Sequence, residues 1–227
     1  GNMADSVYIS EHLTKPQLGF LKLLDDYEVQ LFKFSEIEQL LEQKFDNLSE
    51  ILENLVDKEL LVRMEKGKFC KQGFRDEYVI GTFVAENSAV AYWSALNLHG
   101  LTEQFSNTVF IQTTNQKNDK SILGTSYKFV RIAPNKKTGI IDNGYGNLHY
   151  PITDVEKTIV DCFDLPQHSG GYAELIRAVS QAQMQPTKLV EYCKAVNNIA
   201  VTKRIGYLVE LLQITGMDPF IDFAKMQ

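Results

Sequence analysis

The sequence predicts an α+β protein built as two domains. Three observations carry that reading: apolar residues at helical spacing through the first third, short runs rich in β-branched and aromatic residues in the middle, and amphipathic helical runs in the last third. With 227 residues and 44% hydrophobic content, the chain can bury a core in each part. The helical pattern breaks around Gly73 to Gly81, which sets the expected boundary between residues 1–76 and 77–227.

In the first part, Thr14 opens a T-x-x-Q capping box with Gln17, and Pro16 fits a first turn because its missing N–H has no intrahelical partner there. That helix runs to about Tyr27. Ser35 and Glu38 form the pattern of a second capping box, ahead of Ile37, Leu40 and Leu41 on one face. Leu48, Ile51, Leu52, Leu55 and Val56 then follow the i, i+3, i+4, i+7, i+8 spacing of a helix with one buried side. The stretch "LLVRMEKGKFCKQGF" reads as a strand, a turn at Lys66 and Gly67, and a return strand through Phe69 and Cys70. Three helices closed by a hairpin outline a winged helix-turn-helix, whose third helix enters a major groove and whose hairpin is the wing.

The second part is expected to begin with a helix capped by Asn87 or Ser88 and running through His99. "TVFIQTT", "SYKFVRIA" and "LHYPIT" read as strands, with Asn143 and Gly144 as a hairpin turn. Thr153 and Glu156 give a third capping-box pattern at the head of "DVEKTIVDCF". Helical runs near Tyr172–Met184, Thr187–Val196 and Val201–Ile214 complete an α+β domain whose C-terminal half is helical.

Composition removes several classes of function. Cys70, Cys162 and Cys193 are scattered and form no CxxC pair, which suits buried thiols rather than a disulfide framework. The four histidines (His12, His99, His149, His168) show no HxxxH or HExxH spacing, so neither a metal site nor a cofactor is expected. No apolar window reaches the ~18 residues of a membrane span, and no signal-peptide pattern opens the chain, so a cytoplasmic protein is expected. Gly1 and Asn2, ahead of Met3, read as remnants of tag cleavage and are left out of fold reasoning. The net charge of −6 lies entirely in residues 1–80, which hold 10 Lys and Arg against 16 Asp and Glu.

The stretch "SALNLHGL", Ser94–Leu101, carries a histidine at the end of an apolar run. With Gly100 left-handed at C′, His99 is the C-cap and Leu96 and Leu101 take the two apolar positions of a Schellman ending. The histidine then finishes a helix near its open carbonyls and needs no catalytic role.

From this stretch onward a family resemblance extends. "SALNLHGLTEQFSNTVFIQTT", "ILGTSYKFVRI", "TDVEKTIVDCFDLPQHSGG" and "KRIGYLVELL" resemble, in order and approximate spacing, the AbiEi-family antitoxins of type IV abortive-infection toxin–antitoxin systems. The resemblance implies a bacterial phage-defence protein. Its N-terminal domain would bind double-stranded DNA at its own operator as a transcriptional autoregulator, and residues 77–227 would be the antitoxin domain. It also implies a nucleotidyltransferase toxin as functional partner, without a stable complex, and admits a homodimer on DNA.

Catalytic residues are not expected. A nucleotidyltransferase holds two metal ions with paired carboxylates, yet "TVFIQTTNQ" contains none, and Glu103 and Asp119 lie outside the strand. Asp154, Glu156, Lys157 and Asp161 resemble the acid and lysine cluster of a nuclease, but helix capping and the helix dipole account for the first two. Cys162 falls on an apolar face, and Gly170 and Gly171 lack the rest of a phosphate-loop pattern.

The candidate DNA contacts are Asn47, Ser49 and Asn54 on the third helix, with Lys58, Arg63, Lys66, Lys68 and Lys71 around the hairpin. Glu50, Glu53 and Asp57 share the helix's polar face and oppose the phosphate field. Two alternatives stay open: a winged helix used for protein contacts without DNA binding, and a degenerate nucleotidyltransferase-like protein.

Overall fold

The structure, a computed structural model, describes residues 12–227; Gly1 and Asn2 lie outside the described residues. It is a mixed α+β chain whose contacts divide between Asp76 and Glu77 into two compact units. No helix among the described residues is long and apolar enough to cross a membrane.

The first unit contains α1 (Lys15–Asp26), β1 (Leu31–Lys33), α2 (Ile37–Leu40), α3 (Leu48–Asp57), β2 (Leu61–Glu65) and β3 (Lys68–Lys71). Thr14 caps α1 with the reciprocal Gln17 bond that the sequence predicts, at 3.3 Å in each direction. The second capping box does not form. Ser35 lies in a turn, α2 starts at Ile37, and the Glu38 carboxylate instead accepts from the Phe45 amide at 2.8 Å, fastening the turn that leads into α3. Strand β1 is absent from the sequence reading because three residues, of which only Phe32 is buried, are too few to display alternation. It pairs antiparallel with β3 and completes a sheet in the order β1-β3-β2. Phe20, at the centre of this unit's core, meets Phe32 and Phe45 edge-on at 5.7 and 5.4 Å, and the Leu48, Ile51, Leu52 and Leu55 stripe of α3 closes over the same core.

The second unit opens with α4 (Glu77–Val84), where the sequence predicts a break in the helical pattern. Gly81 lets this helix lie against the sheet: a Cβ there would sit 2.7 Å from the Tyr127 ring and 2.9 Å from Ile111. The sheet is six-stranded, in the order β6-β7-β5-β4-β9-β8. Its strands are β4 (Ser88–Val90), β5 (Thr108–Thr113), β6 (Lys120–Ile122), β7 (Thr125–Arg131), β8 (Ile140–Tyr145) and β9 (Leu148–Thr153).

Three expectations are corrected in this unit. Residues 88–90 are strand rather than helix, and α5 spans only Tyr92–Leu98. The run that is apolar on all sides is a buried central strand passing directly into a short helix, and short apolar runs of the two kinds look alike in sequence. Asn143 and Gly144 lie inside β8; the two-residue turn is Gly146 and Asn147, flanked by the Tyr145↔Leu148 pair. At the start of α6 (Val155–Asp164) the cap is Asp154, whose carboxylate accepts from the Lys157 amide at 2.8 Å, while Thr153 belongs to β9.

Helices α7 (Tyr172–Gln181), α8 (Pro186–Val196) and α9 (Ile199–Leu211) pack around α6, which is buried from Glu156 through Phe163, and α10 (Asp218–Lys225) packs on α8 and α9. The last of these was not anticipated. The C-terminal half of the unit is thus helical, on a sheet that forms its first half.

Candidate nucleic-acid interface

The polar side of α3 reaches solvent because its apolar stripe is spent on the core. Asn47, Ser49, Glu50, Glu53 and Asp57 are exposed, and Asn54 is half-buried. Asn47 stands at the N-cap position, but its side chain makes no capping bond. A groove of about 690 Å³ runs between the start of α1, the α2–α3 connection and α3. Asn47, Glu50 and Asn54 line it from α3, and Lys15 and Lys44 line it from the other walls. These two exposed lysines are the cations that sequence reasoning missed. Lys15 becomes a neighbour of α3 only through the packing of α1, so no local signal announces it.

Around the β2–β3 hairpin the five candidate cations divide. Lys66 is exposed at the turn, where Gly67 adopts φ 74°, and the exposed Arg63 lays its guanidinium over the Phe69 ring at 5.4 Å. The other three are engaged within the unit. Lys68 pairs with Glu65 at 3.2 Å, Lys71 pairs with Asp25, and Lys58 donates to the His12 carbonyl at 2.6 Å and to Gln17 Oε1 at 2.8 Å. The Lys71–Asp25 pair, open to solvent on the Asp25 side, is of the kind that contributes ~0–1 kcal/mol, so a phosphate can compete for Lys71, whereas Lys68 and Glu65 are both largely covered. Lys58 is tied to α1 on the same side as the groove rather than to the hairpin, and the eight predicted residues therefore do not form one cluster.

In the second unit the residues compared with a nuclease cluster form a buried polar network. Lys157 is fully buried and donates to both oxygens of Asp161 at 2.7 Å. Asp161 also accepts from Gln112 Nε2 at 2.9 Å, and the same amide donates to the Tyr92 hydroxyl at 3.1 Å. Burial pushes the Asp161 carboxyl above the usual carboxylate range, with the Lys157 ammonium pulling the other way. Asp154 accepts from the Tyr192 hydroxyl at 2.5 Å, and Glu156, instead of closing a capping box, accepts from the Gln185 amide at 2.8 Å. Each acid already has a structural partner.

The remaining candidates stand apart from this network. Glu103 is almost fully exposed, near Arg177, and Asp119 accepts from the Phe129 amide at 3.0 Å and from Lys128 at 3.1 Å. Among the described residues, no group of three or more His, Cys, Asp or Glu is placed to hold a metal ion. Burial pushes the Cys70 and Cys193 thiols up to about 11 and raises Cys162 well above the ordinary thiol range, so all three are poor nucleophiles. His99 turns away from its own helix end and donates from Nε2 to the Thr153 carbonyl at 2.7 Å, joining α5 to β9.

Comparison with known proteins gives a likeness of fold. No family model matches the chain, and no curated protein matches it. Among solved structures it is similar to the RV2827C protein from Mycobacterium tuberculosis, with a TM-score of 0.64 and 14% sequence identity. The match covers 95% of this chain and 83% of that one, so both units take part in it.

Proposed function

We propose that the first unit is a winged helix-turn-helix, with α3 as recognition helix and the β2–β3 hairpin as wing, and that the chain is an AbiEi-like antitoxin. In this reading it represses its own operon in the bacterial cytoplasm and counters a nucleotidyltransferase toxin without a stable complex. The supporting observation is the helix–strand–helix–helix–hairpin order with its β1-β3-β2 sheet, which turns the polar side of α3 outward. The four sequence segments that resemble the antitoxins lie in the second unit and supply the rest.

Binding of the full chain to its own upstream region, followed by fluorescence anisotropy over a salt series, tests the reading. We expect preference over random duplex and affinity that falls linearly in log–log form with salt. Equal binding to both duplexes overturns it.

The acidic face of α3 favours a second reading, a winged helix that docks on protein. Glu50, Glu53 and Asp57 are exposed there, and Lys58, Lys68 and Lys71 already hold partners in the unit. Loss of DNA preference together with capture of a defined protein would favour it. The proposed role is non-enzymatic: labelled nucleotide incubated with Mg²⁺ or Mn²⁺ and RNA acceptors should give no transfer, and transfer abolished by changing Glu103 or Asp119 would restore the nucleotidyltransferase alternative.

A further inference from the structure

The six-stranded sheet ends in two edges of different character. Strand β6 is three residues long and carries Lys120, a short and charged edge of the kind that resists pairing. Strand β8 is six residues long, contains no lysine, arginine or proline, and exposes Ile141 at 46% and Tyr145 at 91%. Its only charge is Asp142. A long edge with exposed apolar residues and a single charge is open to addition of another strand.

We propose that β8 pairs antiparallel with β8 of a second copy of this chain, joining two sheets across a twofold axis normal to the sheet. Such an axis keeps the faces of the two sheets aligned, so residue i meets residue j with i+j even. Centring on Asp142 would set two carboxylates directly opposite, which is destabilising. Centring on Ile141 or Gly144 shortens the paired segment. Centring on Asn143 leaves five opposed pairs and places Ile141 against Tyr145 twice, an aliphatic–aromatic match on one face. Asp142 then faces Gly144, whose lack of a side chain leaves room on the other face. The two Asp142 carboxylates end as diagonal neighbours, a mild repulsion that salt screens.

This interface stands independently of DNA binding, since its test uses no DNA. Sedimentation of the full chain over a concentration series should give a reversible monomer–dimer equilibrium that tightens with added salt. Asp142→Asn should tighten it about two- to fivefold at low salt, the range of a like-charge cross-strand pair. Ile141→Lys, at an exposed position, should abolish the dimer while leaving the melting temperature unchanged at concentrations where the wild type is also monomeric. The register has its own probe: Asn143→Cys sits on the twofold axis and should form an intermolecular disulfide under mild oxidation, whereas Tyr145→Cys should not. The native Cys70, Cys162 and Cys193 are buried and do not compete. A chain that stays monomeric at its highest soluble concentration, a dimer that survives Ile141→Lys, or equal cross-linking at 143 and 145 overturns the proposal.

Discussion

Lys157 lies wholly out of reach of bulk solvent. The residue is 0% exposed, its side-chain stem lies against the Gly139 backbone, and Asp161 takes two hydrogen bonds from it, which offsets the burial of its ammonium. Removing one partner leaves the other charge buried alone, so Lys157→Met should destabilise the second unit by about 3–5 kcal/mol, while Lys157→Met combined with Asp161→Leu should recover most of the loss. Denaturant melts of the single and double variants check this; additive losses would mean that the two residues do not act as a pair. Tyr92, bonded to the same network through Gln112, sits at φ 53°, a conformation that a bulky residue holds only where its surroundings over-determine it. Gly100, at φ 70°, is the residue for which left-handed backbone is easy, and its amide and that of Leu101 close the predicted Schellman pattern on Asn97 and Leu96 at 3.0 and 2.9 Å. Gly100→Ala should therefore cost about 1 kcal/mol. His99→Gln should cost less than that, because glutamine can still donate toward Thr153; thermal melts separate the two, and lost repression by His99→Gln at unchanged stability would give His99 a functional role.

Caps and strands show which local signals survive in the folded elements. Two T/S-x-x-E/Q patterns failed where Glu38 and Glu156 were drawn to the amides of Phe45 and Gln185, whereas Gln17 keeps its bond to the Thr14 amide while also accepting from Lys58. Thr14→Ala should thus cost about 1 kcal/mol and Ser35→Ala close to nothing, as read by urea denaturation. In the first unit, Lys66 is the exposed cation at the hairpin turn and Asn54 the half-buried amide facing the groove. On the proposed DNA-binding function, Lys66→Ala should weaken binding to every duplex and reduce the salt slope by about one, while Asn54→Ala should relax discrimination at one base position by roughly 1–3 kcal/mol. A salt series on operator and random duplex reads both; a uniform loss from Asn54→Ala would remove that residue from base reading.

On the scale of the molecule, the second unit places titratable groups from distant elements together. His168, on the turn after α6, packs against the Tyr92 and Phe110 rings at 5.4 and 5.6 Å. Burial lowers its pKa, Lys128 adds to the effect, and Asp119 opposes it. The unfolded chain then binds a proton more readily than the folded one, so stability is held above the ordinary value of 6.5 and lost as pH falls through it toward the lowered folded value. His168→Phe should flatten the dependence of melting temperature on pH across that window. An unchanged slope would assign acid sensitivity to other groups.

The sequence by itself determined α1, α3 and α6 to α9, the β2–β3 hairpin and the helix ending at His99 and Gly100, because each rests on contacts within a few residues or on a periodic apolar stripe. The candidate contacts on α3 were legible for the same reason: a buried stripe leaves the opposite face outside. Tertiary structure alone decided that residues 88–90 pair as a central strand, that Glu156 serves Gln185, that Lys58 reaches across to α1, and that Lys15 flanks α3. These depend on partners tens of residues away, and competition for a carboxylate or an ammonium between a neighbour in sequence and one in space is settled only when the chain has closed around both.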